Sequence, residues 1–185
     1  MKRFLKIALI AVAALFVLAY IGYQYAKAQT KKASPEETVT FALGDAQITI
    51  NYSRPYKKGR TIFGGLVPYG EVWRTGANEA TTFTVNRSLN FGGTVVPAGV
   101  YTVWSRPDAD SWEIYLNSDS YSWGVDFDQK AQRDPAKDVA VFRSEVRHMP
   151  TPQEQFEISV NTAGDPAELT LTWDDVQVAV PITLP

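Results

Sequence analysis

The chain has 185 residues, with 18 lysines and arginines against 20 acids, one histidine and no cysteine. The lack of cysteine excludes a disulfide framework, a thiolate nucleophile and a zinc finger, and a single histidine, His148, excludes a multi-histidine metal site. The formal charge of −2 gives no basis for nucleic-acid binding. We therefore expect no nucleic-acid partner, no metal and no other cofactor.

The first segment, residues 1–28, starts with three cations (Lys2, Arg3 and Lys6) and continues as an uncharged apolar run from Ile7 to Tyr23. A cationic start before such a run predicts a membrane anchor or an export signal. The run is long enough to span a bilayer, so residues 7–25 are the predicted membrane contact. Cleavage near Ala28, with a secreted or periplasmic product, is the alternative, because Ala26-Lys27-Ala28 fits a small-x-small cleavage site.

The positive-inside rule orients an anchor with its cations in the cytoplasm and the C-terminal part of the chain outside it. Residues 29–37 then form a polar tether, and residues 38–185 form the exported domain. We expect a single-pass protein of a bacterial cell envelope.

Apolar and polar residues alternate with period two after Glu37, and turn-rich sequences separate the runs. This pattern predicts an all-β fold: an antiparallel β-sandwich or jelly-roll-like domain of about nine or ten strands, preceded by one N-terminal hydrophobic helix. One alternating run has Val100, Thr102 and Trp104 on one face, and another has Val139 and Val141. Residues 54–80 and 119–138 lack the alternation, and a long ordered loop in a compact domain is frequently functional.

The first of these segments carries most of a long motif. It runs Tyr52-Ser53-Arg54-Pro55, Lys58-Gly59-Arg60, Ile62-Phe63-Gly64-Gly65-Leu66-Val67-Pro68-Tyr69-Gly70 and Val72-Trp73-Arg74-Thr75-Gly76-Ala77-Asn78-Glu79-Ala80-Thr81. Together with Pro97-Ala98-Gly99-Val100-Tyr101, Trp112, Asn117 and Trp123-Gly124, it resembles a bacterial family catalogued as domain of unknown function family 2911. The resemblance covers roughly Ser34 to Ile182. It implies an exported β-rich domain and supplies no activity or catalytic residues.

Charge separates the loop from the rest of the domain. Between Arg54 and Arg74 there are five cations and one acid, whereas residues 75–185 hold seven cations and sixteen acids. A cationic, glycine-rich loop on an acidic body indicates an anion site, for which the arginine fork is suited, and Arg54 and Arg60 are candidate ligands together with Arg74. The alternative is that these arginines pair with the domain's own acids.

The heptapeptide from Trp73 to Glu79 concentrates an aromatic ring, a cation, an amide and a carboxylate. Positive φ angles at Gly76 and Asn78 would bring these groups together in a tight turn. In the functional interpretation Trp73 stacks on a sugar ring, Arg74 and Asn78 donate hydrogen bonds, and Glu79 accepts them, with Trp123 as a second aromatic wall. In the structural interpretation Trp73 belongs to the core, and Asn78 and Glu79 satisfy loop backbone.

The sequence thus predicts a non-catalytic binding or structural module for an anionic or sugar-like ligand or an envelope partner protein. The alternative is a glycan-directed hydrolase that uses Glu79 as general acid/base. Such an enzyme needs a second carboxylate about 5–10 Å away.

Overall fold

The computed structural model describes residues 2–185, which form two units that divide between Ala33 and Ser34. The first unit is one helix, α1 (Lys2–Ala33), with Lys31 and Lys32 in its last turn, where cations complement the helix dipole. By length and composition α1 can cross a membrane, a test that a signal sequence also satisfies, and none of its most apolar stretch is buried within the molecule.

Helix α1 extends further than the apolar run that predicted it. Because Pro35 disfavours helical backbone at the residue before it, the helix stops just ahead of Ser34. The first strand begins at Glu36, so only Ser34 and Pro35 of the expected tether lie outside a helix or strand.

The second unit contains ten strands, which confirms the predicted all-β fold. They are β1 (Glu36–Leu43), β2 (Ala46–Ser53), β3 (Thr82–Val85), β4 (Leu89–Phe91), β5 (Thr94–Val96), β6 (Gly99–Pro107), β7 (Ser111–Asn117), β8 (Asp138–Glu145), β9 (Arg147–Asn161) and β10 (Ala167–Thr183). A short 3-10 helix, Pro135–Lys137, precedes β8.

The strands form two antiparallel sheets, one of six strands in the order β1-β2-β3-β6-β7-β8 and one of four in the order β5-β4-β10-β9. Their inner faces share one hydrophobic core, to which the larger sheet contributes Ile48, Phe83 and Ile114 and the smaller one Leu171 and Val178. Two sheets packed on a common core are a β-sandwich.

In two strands, the side chains that face the core are not those that the alternation predicted. In β6 the core side chains are Tyr101 and Val103, whereas Val100 is exposed. Trp104 is buried on the opposite face, because Tyr121 and Gly124 of the segment 119–138 cover it there.

Strand β8 shows the same reversal. Its core residues are Ala140 and Phe142, while Val141 is 49% exposed and Val139 is 40% exposed. Alternation alone identifies a strand and leaves open which of its faces is buried.

Candidate functional site

The long loop between β2 and β3 forms backbone hydrogen bonds with strands of both sheets. Its start pairs with β9 through a bridge between Tyr56 and Gln155, and Lys57 N–H donates to the carbonyl of Glu154 at 2.7 Å. Its second half pairs with β6, where Trp73 and Ser105 exchange backbone hydrogen bonds of 2.7 and 2.9 Å. The loop is therefore part of the sandwich rather than a free lid.

Trp73 sits in the aromatic core beneath this loop. Its ring centroid lies 5.1 Å from Phe156, 6.0 Å from Trp173 and 6.2 Å from Trp112, and its Nε1 donates to the carbonyl of Gly76 at 3.0 Å. These contacts occupy its ring and its only donor with internal partners. The geometry thus matches the structural interpretation of this residue, and stacking on a ligand remains a prediction.

Arg54 joins the loop to both sheets. Its guanidinium lies 2.7 Å from Glu37 and 3.3 Å from Glu157, and its Nε donates to the carbonyl of Phe156 at 2.9 Å. Two carboxylates and one carbonyl thus occupy the guanidinium nitrogens that would otherwise bind an anion.

Arg60 folds back on its own loop. Its Nε donates to the carbonyl of Lys57 at 3.0 Å, and a terminal nitrogen donates to the carbonyl of Tyr56. Nearby, the Lys57 ammonium forms an ion pair with Asp174 of β10. Three of the loop's five cations are accordingly engaged with the domain's own acceptors.

The turn after Trp73 has the expected backbone. Gly76 and Asn78 have positive φ angles, as predicted, and Thr75 adopts φ +54°, which is unusual for a β-branched residue. Buried hydrogen bonds hold Thr75 there, because its hydroxyl lies 2.9 Å from that of Ser105 and its carbonyl accepts from Thr81. Asn78 is buried, and its amide donates to the carbonyl of Ser34.

Arg74, Glu79 and Trp123 form the one part of the predicted site that comes together. The Arg74 guanidinium lies over the Trp123 ring, 5.7 Å from its centroid, and donates to the Trp123 carbonyl at 3.1 Å. Burial lowers the pKa of Arg74, and the charge of Glu79 opposes that shift. Arg74 and Glu79 are both half-buried. Their use as ligand-binding residues, and of Glu79 as an acid/base, remains a prediction.

A second candidate site involves a different part of the loop. A cavity of about 220 Å³ opens between the loop, the β6–β7 turn and strands β9 and β10. We call it the groove; its lining residues are Thr61, Ile62, Phe63, Tyr69, Asp108, Ala109, Trp112, His148, Asp174, Asp175 and Val176. The loop contributes four of these side chains, but none of them belongs to the residues predicted as ligands.

Strand β10 is irregular where it borders the groove. The β9–β10 register shifts on both sides of Asp174, which has φ +56°. A bulge re-aims side chains, and a non-glycine residue in the left-handed region stores strain that surrounding contacts must offset. The ion pair with Lys57 supplies such a contact, and the bulge brings Asp174 and Asp175 into one wall.

The only histidine of the chain borders the groove as well. His148 Nδ1 lies 3.2 Å from a carboxylate oxygen of Asp175, and the imidazole side chain is 69% exposed. Asp108, in the β6–β7 turn, accepts a hydrogen bond from the backbone of Ala109. Among the described residues, Asp108 and Asp175 each have one hydrogen-bond partner for the carboxylate and further lone pairs to offer a ligand.

Trp112 supplies a polar group with no protein partner. The residue lines the groove and is 1% exposed, and within residues 2–185 its Nε1 finds no hydrogen-bond acceptor. An indole N–H buried without an acceptor costs free energy, about 1–3 kcal/mol for a typical polar group. In the same described residues Trp104 and Trp173 carry a buried, unpartnered Nε1 as well, and neither lines the groove, so this nitrogen does not by itself mark a ligand site.

The sequence held only weak signals of the groove. The sequence indicates a turn at Asp174-Asp175 and a strand end at His148. These two positions are far apart in sequence. Their proximity depends on the register shift, which periodicity does not encode. In the part of the chain that the structure describes, no three His, Cys, Asp or Glu residues are arranged to hold a metal ion.

Comparison with curated proteins and with solved structures finds no match. A family model described as "Protein of unknown function (DUF2911)" matches residues 34–182, almost the whole β domain. The chain therefore belongs to the DUF2911 family, as its loop motif indicated.

Proposed function

We propose that the chain is an exported envelope protein whose β domain is a non-catalytic binding module, with a sugar-like ligand held in the groove. Helix α1 tethers the domain to the membrane, with its N-terminal cations in the cytoplasm and the β domain outside. The long uncharged run of α1 supports this placement. Mass spectrometry of the mature protein tests it, since cleavage near Ala28 would give a released domain instead.

The observation that carries the proposal is the pairing of an exposed aromatic ring with hydrogen-bonding groups in one small cavity. Tyr69, 45% exposed, offers a ring face. Asp108 and Asp175 offer carboxylate oxygens. Sugars combine apolar ring faces with hydroxyls that both donate and accept, so this set of groups matches them.

The size of the groove limits what enters it. Its volume, about 220 Å³, lies below the range of roughly 300–1,000 Å³ that is usual for drug-sized ligands. The groove therefore suits a single ring, such as one unit of a longer glycan whose remainder stays in solvent.

The charges near the groove favour this ligand over an anion. Arg54 and Lys57 already pair with carboxylates, and Arg60 with carbonyls. The groove itself presents acidic side chains, which would repel a phosphate or a sulfate.

Isothermal titration of the full-length chain in detergent micelles, with a panel of neutral, amino and acidic trisaccharides, tests the proposal. We expect saturable binding of at least one saccharide. Tyr69→Leu should weaken it about fivefold, the equivalent of about 1 kcal/mol for one aromatic ring contact. The matched control, Trp123→Leu, should leave affinity unchanged. Binding that depends on Trp123 and not on Tyr69 would contradict the groove, and no saccharide binding at millimolar concentration would refute the function.

A further inference from the structure

We infer that the open edge of strand β1 is a dimerisation surface, to which β1 of a second copy of the chain adds as an antiparallel strand. The inference goes beyond the proposed function: it uses the membrane tether of that proposal and is independent of the groove. It follows from the backbone groups that β1 leaves at the edge of the six-stranded sheet and from the side chains beside them.

The backbone of β1 bonds to β2 at every second residue. At one end of the pair, Arg54 N–H donates to the carbonyl of Pro35 at 2.8 Å, and at the other a two-residue turn joins Leu43 to its partner Ala46. The first residue of such a turn gives its carbonyl to the fourth, and hydrogen-bonded pairs alternate along an antiparallel ladder. The odd-numbered residues of β1 therefore direct their N–H and C=O groups toward β2.

The even-numbered residues direct theirs the other way, to the open edge. Thr38, Thr40 and Ala42 are the central ones, and their side chains are exposed on the outer face of the sheet. Within residues 2–185, no backbone hydrogen bond or bridge joins them to a second strand or loop on that side. Such a row of donors and acceptors is complementary to the backbone of another extended strand.

The other three edge strands of the sandwich are protected against such pairing. Strand β5 is only three residues long, β9 is covered near its middle by backbone hydrogen bonds from the β2–β3 loop, and β8 carries three charged side chains among its eight residues. Short edges, covering loops and charges prevent edge-to-edge association in soluble proteins. In β1, residues 38–43 contain neither a charge nor a proline, and the register with β2 has no bulge.

A second copy fits this edge because β1 is complementary to itself. Antiparallel pairing centred on Val39 sets Thr38 opposite Thr40 of the second copy and leaves no two charged residues opposite each other. The sheet already contains such a contact, since the hydroxyls of Thr40 and Thr49 lie 3.3 Å apart. Thr–Thr pairs across strands are favourable. On the inner face, Val39 is only partly buried by its own core, and its counterpart would cover it further.

The membrane tether favours a second copy over a foreign strand. A contact confined to one strand of each copy is small beside the roughly 1,200–2,000 Å² of a stable interface, so it is weak between freely diffusing molecules. Helix α1 would hold the copies on one membrane surface and raise their effective concentration. Because the same strand serves both partners, the pairing closes as a two-fold dimer and does not grow into a fibre.

Disulfide trapping in lipid vesicles tests the inference, since the chain has no cysteine of its own. In the register centred on Val39, the Cα atoms of this residue and its counterpart lie about 4.5 Å apart, within the range of a disulfide. We expect the full-length Val39→Cys variant to form a covalent dimer on oxidation. Ala42→Cys, exposed on the same strand, is offset from its counterpart by about 20 Å and should not form one.

A change at the edge should weaken the trap. Thr40→Lys, added to Val39→Cys, places a charge at the open edge and should lower the yield of covalent dimer severalfold. The matched control is Thr84→Lys, in the same row of the outer face but on the inner strand β3, and it should leave the yield unchanged. A mixture of Thr38→Cys and Thr40→Cys chains, both changed at exposed positions, should give a mixed dimer and repeats the test without altering the core.

Two results would overturn the inference. One is the absence of covalent dimer from both Val39→Cys and the mixed pair, or an equal yield from Ala42→Cys. The other is efficient trapping by Val141→Cys alone, which would place the interface at β8. Neither result bears on saccharide binding in the groove, and a failure of that binding leaves the dimer standing.

Discussion

Replacing Trp73 with alanine is expected to destabilise the β domain by about 3–4 kcal/mol. Its ring makes edge or stacked contacts with Phe156, Trp173 and Trp112, and aromatic pairs contribute about 0.5–1.5 kcal/mol each beyond the buried area. The hydrogen bond to Gly76 adds about 1 kcal/mol. Large aromatic-to-alanine changes in cores cost about 3–5 kcal/mol, and the half-buried state of Trp73 places it in the lower part of that range.

Differential scanning calorimetry of the full-length chain in micelles measures this loss. For a domain of this size each kcal/mol corresponds to about 2–4 °C in Tm, so we expect a decrease of about 6–16 °C. Leu66→Ala, an exposed change in the same loop, is the control and should shift Tm by less than about 2 °C. A Trp73→Ala variant with nearly native Tm but no saccharide binding would refute the core assignment and restore Trp73 as a ligand platform.

Three further predictions concern the stability of the same domain. Arg54→Gln should cost about 1–3 kcal/mol in urea unfolding, because two carboxylates lose their shared cation. The contribution of Tyr52 to stability should be constant below pH 10 and fall by about 2–3 kcal/mol between pH 10 and about 12, because burial raises the pKa of Tyr52 to about 12 while the unfolded chain ionises earlier. Gly124→Ala should cost about 2–4 kcal/mol against about 1 kcal/mol for Gly59→Ala: both have positive φ, but a Cβ at Gly124 meets Trp104 at 3.2 Å while one at Gly59 meets nothing.

Each of these predictions has its own control. Adding Glu157→Gln to Arg54→Gln should recover part of the loss, since one of the two uncompensated charges is then removed. Tyr52→Phe should reduce the alkaline decline measured by Tm against pH and leave the part that comes from Tyr101 and Tyr115, whose pKa values burial also raises. An unchanged decline would contradict the role of Tyr52. Equal Tm losses for the two glycine variants would contradict the close packing at Gly124.

Much of the fold follows from local sequence patterns. Helix α1 is evident from its apolar run, and β7, β9 and β10 from alternation that matches their core faces, as at Ile114, Ile158 and Leu171. The reversed face of β6 does not follow, because the segment 119–138 buries Trp104 on the outer face of the sheet. The reversed face of β8 does not follow either, because its exposed residues Val139 and Val141 are apolar. The segment 119–138 has no alternating pattern, so its packing on this sheet could not be predicted from periodicity.

The site was harder to predict than the fold, for a physical reason. Turn chemistry predicted the backbone at Gly76 and Asn78, since positive φ is a local property. The partners of Arg54 were not predictable, because Glu37 and Glu157 are distant in sequence and meet it through strand pairing. A cationic stretch in sequence therefore became an internally paired loop, and the acidic groove formed beside it.

Indole resonances give the most direct test of the groove as the ligand site. The chain has five tryptophans, each with one Nε1–H that gives its own signal in a ¹⁵N-resolved spectrum of the protein in micelles. During titration with the saccharide that binds most tightly, we expect the Trp112 signal to shift the most, because Trp112 is the one tryptophan among the residues that line the groove. A saturable shift at Trp123 while Trp112 stays unmoved would place the ligand at Arg74 and Glu79 and contradict the account.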